Sequence, residues 1–223
     1  MNQAPEPARI LLIDKPEGWT SFQAVKRLKY ALKARKIGHA GTLDPLATGL
    51  LIICQGKKTK EIESIQSMPK EYTGIFILGE TTPSFDLETA VDRAYPINHI
   101  TDELLDETVK SFIGEQQQTP PLFSAVKVNG KRAYDIARSG GTAELKSKII
   151  NISEFEIKRI DSNKISFRVI CSKGTYIRSL ARDFGKKLNS GAYLTNLRRT
   201  KIGNYSVEDA FHPKAEVESI IGQ

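Results

Sequence analysis

The spacing of apolar positions changes several times along this chain, and each change marks an element. Ile10 to Ile13 is a short apolar run ended by Asp14, Pro16 and Gly18, which predicts a buried strand. Phe22, Val25, Leu28 and Leu32 then recur every three or four residues, predicting a helix capped by Thr20 or Ser21. Leu50 to Cys54 predicts a second buried strand and Tyr72 to Leu78 a third with partial alternation. The stretch TTPSFDLETAVDRAYP is dense in turn formers and polar residues and reads as a long loop. Leu104, Leu105, Val109 and Phe112 place a second amphipathic helix over 102–113, behind a Thr101 or Asp102 cap.

The segment QQQTPPLFSAVKVNGKRAYDIARSGG breaks this pattern. It holds a polar run, two prolines, a short alternating strand ending at Asn129-Gly130, and a short helix stopped by glycines. Downstream, Lys148 to Arg159 and Lys164 to Cys171 flank Asp161-Ser162-Asn163 as a hairpin, with Ile165, Phe167, Val169 and Cys171 on one face. Ile177, Leu180, Ala181 and Phe184 stripe a helix opening at Thr175, with Arg178 and Arg182 away from the apolar face. Leu197 to Tyr205 is read as a last strand. Strands and helices mixed without regular alternation predict an α+β fold around a mixed sheet.

The 223 residues suit one sizeable domain, with or without a modest insertion. Lys and Arg number 33 against 26 Asp and Glu, a formal charge of +7 that favours polyanionic partners. On the first helix the polar face is Lys26, Arg27, Lys29, Lys33, Arg35 and Lys36. Such a run is either a solvated face or a phosphate track, and it leads directly into the loop discussed next. Cys54 and Cys171 end apolar stretches with no metal-ligand spacing nearby, so buried free thiols are expected. The apolar run near the N-terminus is too short for a signal peptide or membrane span, so a cytoplasmic chain with no membrane association is expected.

Several chemistries lack their motifs. No phosphate-binding GxxxxGK[ST], dinucleotide-binding GxGxxG or nucleophile-elbow GxSxG occurs, and His39, His99 and His212 are scattered. Neither a metal nor a cofactor is therefore expected. What remains is the loop Gly38-His39-Ala40-Gly41-Thr42-Leu43-Asp44-Pro45-Leu46-Ala47-Thr48-Gly49, with one carboxylate between apolar neighbours. Asp44 there is either a nucleophile or the cap of a turn with Pro45 at its first position. A carboxylate in apolar surroundings needs a positive partner to stay ionised, and Arg178 in KGTYIRSLARDFG is a candidate. Tyr72 and Tyr176 are either faces for a stacked base or sheet and core tyrosines.

The motifs IDKPEGWTS, GHAGTLDPLATGLL, KEYTG and CSKGTYIRSLARDFG, in this order, resemble those of the bacterial tRNA pseudouridine-55 synthases of the TruB type, over about Ile10 to Phe211. The resemblance implies the pseudouridine synthase fold and an isomerase converting the T-loop uridine of tRNA, at tRNA position 55, to pseudouridine by base flipping. By motif, Asp44 matches the catalytic aspartate, Tyr72 the tyrosine that packs on the flipped base, and Arg178 the arginine pairing with the aspartate. Tyr176 matches a second active-site tyrosine, Leu197 an apolar pocket residue, and His39 the histidine filling the space left by the nucleotide.

The resemblance further implies a tRNA partner held by its T stem-loop, no small-molecule cofactor and no metal. A single catalytic domain over 1–223 is expected to work as a monomer, with a thumb-like RNA-binding insertion at about 117–147. Many relatives add a C-terminal PUA domain, which this chain is expected to lack.

Overall fold

Residues 6–212 are described by the computed structural model. The first residues of the N-terminal segment, and the stretch after His212 on which the expectation about the PUA domain rests, lie outside the described residues. The chain forms two units, Met1–Tyr72 with Leu197–Gln223, and Thr73–Asn196. It begins with β1 (Arg9–Lys15), α1 (Ser21–Ala31), β2 (Ile37–His39), β3 (Thr48–Gln55), α2 (Ile62–Ser67) and β4 (Lys70–Leu78). Then come β5 (Glu80–Thr81), β6 (Arg93–Ala94), α3 (Asp102–Lys110), β7 (Gly114–Gln118), β8 (Lys127–Val128), β9 (Lys131–Arg132), α4 (Ala133–Arg138), β10 (Lys148–Asp161), β11 (Lys164–Cys171) and α5 (Ile177–Lys187). β12 (Ala192–Ile202) and β13 (Tyr205–Ser206) complete the described strands.

In the first unit β3 is the central strand. It pairs antiparallel with β1 and β2 and parallel with β12 through Arg198↔Thr48 and Arg199↔Gly49. Leu51 and Ile53 pack with Leu11, Ile13, Ala24 and Leu28, while Leu50, Ile52 and Cys54 pack with Ile65, Ile202 and Val207. Burial on both faces explains why LLIIC reads as a continuous apolar run rather than an alternating one.

Thr20 caps α1 in a reciprocal box. Its Oγ1 accepts from Gln23 N at 3.1 Å, and its own N donates to Gln23 Oε1 at 2.7 Å. The buried positions of the helix are Ser21, Ala24 and Leu28, so Phe22, expected on the apolar face, is 71% exposed. The small residues Ser21 and Ala24 let α1 sit close to the sheet, and that orientation turns Phe22 outward.

In the second unit β10 pairs antiparallel with β11 and β7, and β11 lies next to β4. Ile165, Phe167, Val169 and Cys171 are buried together, as their alternation predicts. Phe167 stacks on Phe76 with ring centroids 4.2 Å apart, and Phe184 of α5 touches Phe76, Phe112 and Phe155 at 5.8 to 6.1 Å. Asn129 and Gly130, with φ of 50° and 82°, turn β8 into β9 as their pairing predicts. Both cysteines are free and buried. Each unit joins mostly antiparallel strands to flanking helices, which is the α+β class expected.

Three expectations need correction. Thr175 does not cap α5: Tyr176 occupies the cap, and the Thr175 hydroxyl donates to Ser172 O at 2.9 Å. Arg178 is not turned to solvent but is 5% exposed, because α5 is covered on more than its apolar stripe. The last long strand starts at Ala192 rather than Leu197 and ends at Ile202, where Gly203, at φ 53°, turns the chain into β13.

Phe184→Ala is expected to cost about 3–5 kcal/mol of unfolding free energy, because the side chain is fully buried among three other rings. Urea unfolding measures this, and a change within about 0.5 kcal/mol, typical of surface sites, would remove the cluster from the core argument.

Candidate active site

The loop carrying Asp44 has no regular structure, and side chains from three elements set its shape. Lys15 of β1, fully buried, donates to the carbonyls of Pro16 at 2.9 Å, Trp19 at 2.7 Å and Pro45 at 3.3 Å. Ser21 of α1 accepts from Leu43 N at 2.9 Å and donates to Leu43 O at 3.1 Å. Arg199 of β12, 1% exposed, donates from Nε to Leu50 O at 2.8 Å and from Nη2 to Gly41 O at 3.1 Å, with Nη1 3.4 Å from Thr42 O. Backbone on both sides of Asp44 is thereby held by buried donors. The Asp44 carbonyl accepts from Ala47 N at 3.1 Å, so the Asp-Pro turn is closed by main chain.

Where the loop enters β3, Gly49 has φ of 100°, and a Cβ there would lie 2.3 Å from Arg199 O. Only glycine allows both this conformation and this approach. The strand on its other side is β1, with Lys15 opposite Gly49, so both buried cations flank one residue.

The electrostatics follow from this packing. Burial lowers the Lys15 pKa to about 8; Asp44 and Glu17 oppose that shift, while Arg199 adds to it. Burial also pushes His39 down, Arg199 acting in the same direction and a Gly41 backbone contact against it. His39 is therefore neutral at neutral pH. Its Nδ1 is buried without a hydrogen-bond partner among the described residues.

The remaining predicted residues of this unit lie on its strands. Leu197 is buried, and its carbonyl accepts from Thr48 Oγ1 at 3.4 Å, which sets it beside the end of the Asp44 loop. Tyr72 is buried on β4, next to Glu71, whose Oε1 accepts from Thr200 Oγ1 at 2.7 Å. Asp14 of the IDKP motif forms a two-pronged pair with Arg198, at 2.9 and 2.7 Å.

Arg178 and Tyr176 belong to the second unit. Arg178 lies with Nε 3.6 Å from Asp86 Oδ2 and Nη1 3.5 Å from Ser84 O. Asp86 is itself held: its Oδ1 accepts from Glu88 N at 3.0 Å, and its carbonyl accepts from Thr82 Oγ1 at 2.7 Å. The long loop is thus closed at its base by β5 pairing with β6 and folded around a buried carboxylate. Tyr176 is set by Gln118, which accepts from its N at 2.7 Å and donates to its O at 3.1 Å. Arg182 holds Thr119 O at 3.1 Å and lies 4.9 Å over the Phe85 ring.

Lys15, Ser21, Arg199, Asp86 and Gln118 were not among the predicted site residues. Lys15 and Ser21 sit in quoted motifs, and their signal is a polar residue inside an otherwise apolar or helical segment. Arg199, Asp86 and Gln118 carry no comparable local signal. Among the described residues no group of three or more His, Cys, Asp or Glu is placed to hold a metal, and no helix is long and apolar enough to cross a membrane.

Residues 29–177 match the family model described as TruB family pseudouridylate synthase, N terminal domain. That span contains His39, Asp44, Tyr72 and Tyr176 and stops one residue before Arg178. The chain is 59% identical over 209 residues to a Flavobacterium johnsoniae protein named tRNA pseudouridine synthase B, covering 91% of each. It is 50% identical over 228 residues to a Phocaeicola vulgatus protein of the same name, covering 96% of this chain and 97% of that one. A chain in the crystal structure of a Cbf5-Nop10-Gar1 complex superposes with a TM-score of 0.68 at 30% identity, covering 88% of this chain and 49% of that one. A chain in the archaeal box H/ACA sRNP Nop10-Cbf5 complex gives 0.67 at 26% identity, covering 94% and 52%. This chain spans about half the length of those two.

Lys15 gives a pH test. Because folding lowers its pKa from 10.5 to about 8, the unfolded chain binds this proton more tightly between those values. Its cost is therefore fully present below pH 8 and is relieved as pH rises toward 10.5. In Lys15→Met the unfolding free energy is expected to lose that upward component between pH 8 and 10. Parallel curves for the two proteins would show that the lysine keeps its ordinary pKa.

Proposed function

The chain belongs to the TruB family of pseudouridylate synthases, and on that premise we propose that it isomerises the T-loop uridine of tRNA, at tRNA position 55, with Asp44 as nucleophile. The bond from the sugar to uracil N1 breaks and one to C5 forms, with the C5 proton passing to solvent and N1 taking one up from solvent. Nothing else is gained or lost, so the reaction calls for no cofactor or metal. The Asp44 carboxylate supplies the electron pair that frees N1, by attack on the sugar or on the uracil ring.

The observation that carries this reading is the fixing of the Asp44 loop by Lys15, Ser21 and Arg199, in a chain of this family. A nucleophile on a clamped main chain loses little entropy when it meets the reacting atom. Arg178 is assigned as the guanidinium that keeps this carboxylate charged, a role its planar, permanently charged group suits. Tyr72 and Tyr176 are assigned to the flipped base, Leu197 to the apolar pocket wall and His39 to the space the nucleotide vacates. A neutral His39 is compatible with stacking inside RNA. Taking a nucleotide out of the stack costs a few kcal/mol, which stacking and phosphate contacts must offset.

The insertion at about 117–147 is assigned to the T stem-loop, and the chain is read as one catalytic domain acting as a cytoplasmic monomer. Supporting the insertion's role is its own framework: the β8–β9 turn, Phe123 against Tyr134, and Arg138 4.4 Å over Tyr134 and 3.3 Å from Glu88.

Asp44→Asn is expected to lose at least about a thousandfold in turnover, read as tritium release from C5-labelled uracil in a T-arm hairpin with EDTA present, while RNA affinity is retained. Residual turnover above a few per cent would sink Asp44 as nucleophile. Arg178→Lys keeps charge but loses the planar fork, so a severe fall in turnover with a modest loss of affinity is expected. Wild-type turnover in that variant would remove Arg178 from the chemistry.

A further inference from the structure

Between Glu17 and Asp44 the chain contains no acidic residue and six basic ones, Lys26, Arg27, Lys29, Lys33, Arg35 and Lys36. All six are exposed. Arg35 is engaged by Glu6, with Nε 4.0 Å from Oε2 and its N donating to Oε1 at 2.8 Å. Lys26, Arg27, Lys29 and Lys33 make no ion pair among the described residues. A helix face with that many uncompensated cations repels itself, which disfavours covering it with another basic surface.

The same face carries aromatic side chains that the core does not use. Phe22 is 71% and Tyr30 72% exposed, although a helix normally buries such residues. Trp19, Gln23, Lys26, Arg27 and Tyr30, spaced four, three, one and three residues apart, line a groove of about 440 Å³. Arg27 lies 5.7 Å over the Trp19 ring, and Trp19 also packs against the core that includes Leu11, Ile13, Ala24 and Leu28. Phe22 falls on the adjoining strip with Lys26 and Lys29, and Lys33 follows just past the end of the helix. Flat rings set among unpaired cations are the combination that binds single-stranded or unstacked nucleic acid, rings stacking on bases and cations on phosphates.

The positive strip extends beyond the helix. Gly56 N donates to Lys36 O at 2.8 Å, so the basic turn Gly56–Glu61, with Lys57 and Lys60 exposed, abuts the end of the α1 segment. Lys58 is compensated by Glu61 at 2.7 Å, leaving Lys57 and Lys60 to continue the strip.

We propose that the outward face of α1, continued by Lys57 and Lys60, is an RNA-binding surface for nucleotides other than the one isomerised. The proposal rests on the reading of the chain as an RNA-modifying enzyme and adds to it a site outside the residues assigned to the reaction. The Coulombic part supplies most of the affinity and the exposed rings its preference for unpaired bases.

The test uses the full chain and two surface variants, Lys26→Gln/Lys29→Gln/Lys33→Gln and Phe22→Ala/Tyr30→Ala. These side chains are exposed, so thermal midpoints should match wild type. Binding of a fluorescein-labelled T-arm hairpin and of full tRNA is read by anisotropy across a salt series, together with tritium release. In the charge variant, RNA affinity is expected to fall at least about tenfold at 0.1 M salt, and the slope of log affinity against log salt to shrink by about 2 to 3. The Michaelis constant should rise in step while kcat at saturating RNA stays near wild type. The aromatic variant should weaken binding about fivefold or more without changing the salt slope. Replacing the three lysines by arginines should restore affinity.

Unchanged affinity and slope in both variants would overturn the proposal while leaving the isomerase reading intact, since wild-type turnover is measured in the same series. No tritium release by wild type, with binding still lost in the charge variant, would overturn the isomerase reading and support the RNA surface. Loss of self-association by the aromatic variant in sedimentation, with RNA affinity unchanged, would overturn the proposal in favour of a contact between copies of the chain.

Discussion

Two cations buried against main-chain carbonyls are the constraint on which the first unit depends. Lys15 and Arg199 are taken almost wholly out of water, and neither is neutralised there by a carboxylate held at hydrogen-bond distance. An isolated buried charge costs far more than one hydrogen bond returns, so each must collect several acceptors. Those acceptors are the carbonyls of Pro16, Trp19, Gly41, Thr42 and Pro45 around the loop and of Leu50 at the start of β3. Solvating the two cations and ordering the loop around Asp44 are therefore the same event. The Asp44 charge counters the depression of the Lys15 pKa, so the carboxylate is part of the balance that keeps the lysine protonated.

The second unit solves a related problem with different groups. Arg178 is nearly inaccessible and meets Asp86, whose main chain and carboxylate are pinned by Thr82 and Glu88. Gln118 fixes the main chain of Tyr176, the cap residue of α5, with both ends of its amide. In both units the main chain beside a predicted functional residue is held by buried side chains that were not themselves predicted. A precise site needs such support, because a side chain free to rotate would dissipate the advantage of placement.

Periodicity made much of the fold legible. Leu50 to Cys54, the alternating arm ending at Cys171, the Asn129-Gly130 turn and the stripe of Ile177, Leu180, Ala181 and Phe184 all lie where the pattern puts them. The failures share a cause: tertiary packing overrode the local signal. Phe22 fits an apolar stripe by spacing, yet Ser21 and Ala24 face the core because the Ser21 hydroxyl is needed at Leu43. Arg178 reads as a polar-face residue because nothing near it in sequence announces Asp86 across the loop. Asp44 stood out by the company it keeps in its own loop, whereas Arg199 is distant in sequence, and its importance arises only when β12 is laid beside β3. Local chemistry is readable from residues; the donors that brace it are readable only after folding.

Charge divides the molecule's cations into two populations with different tasks. Lys15 and Arg199 are buried with their donors on main-chain carbonyls, and Arg178 is buried beside Asp86, so the three have little to offer a phosphate backbone. Phosphate contacts gain energy by releasing counterions, which requires cations that are hydrated and accessible beforehand. The exposed lysines of α1 and of the turn after β3 meet that requirement. A net charge of +7 therefore overstates neither role: part of it stabilises loop geometry and part remains available at the surface. On the isomerase reading proposed above, flipping a nucleotide draws on both, since the surface charge must supply binding energy before the ordered interior can use it to hold the base in place.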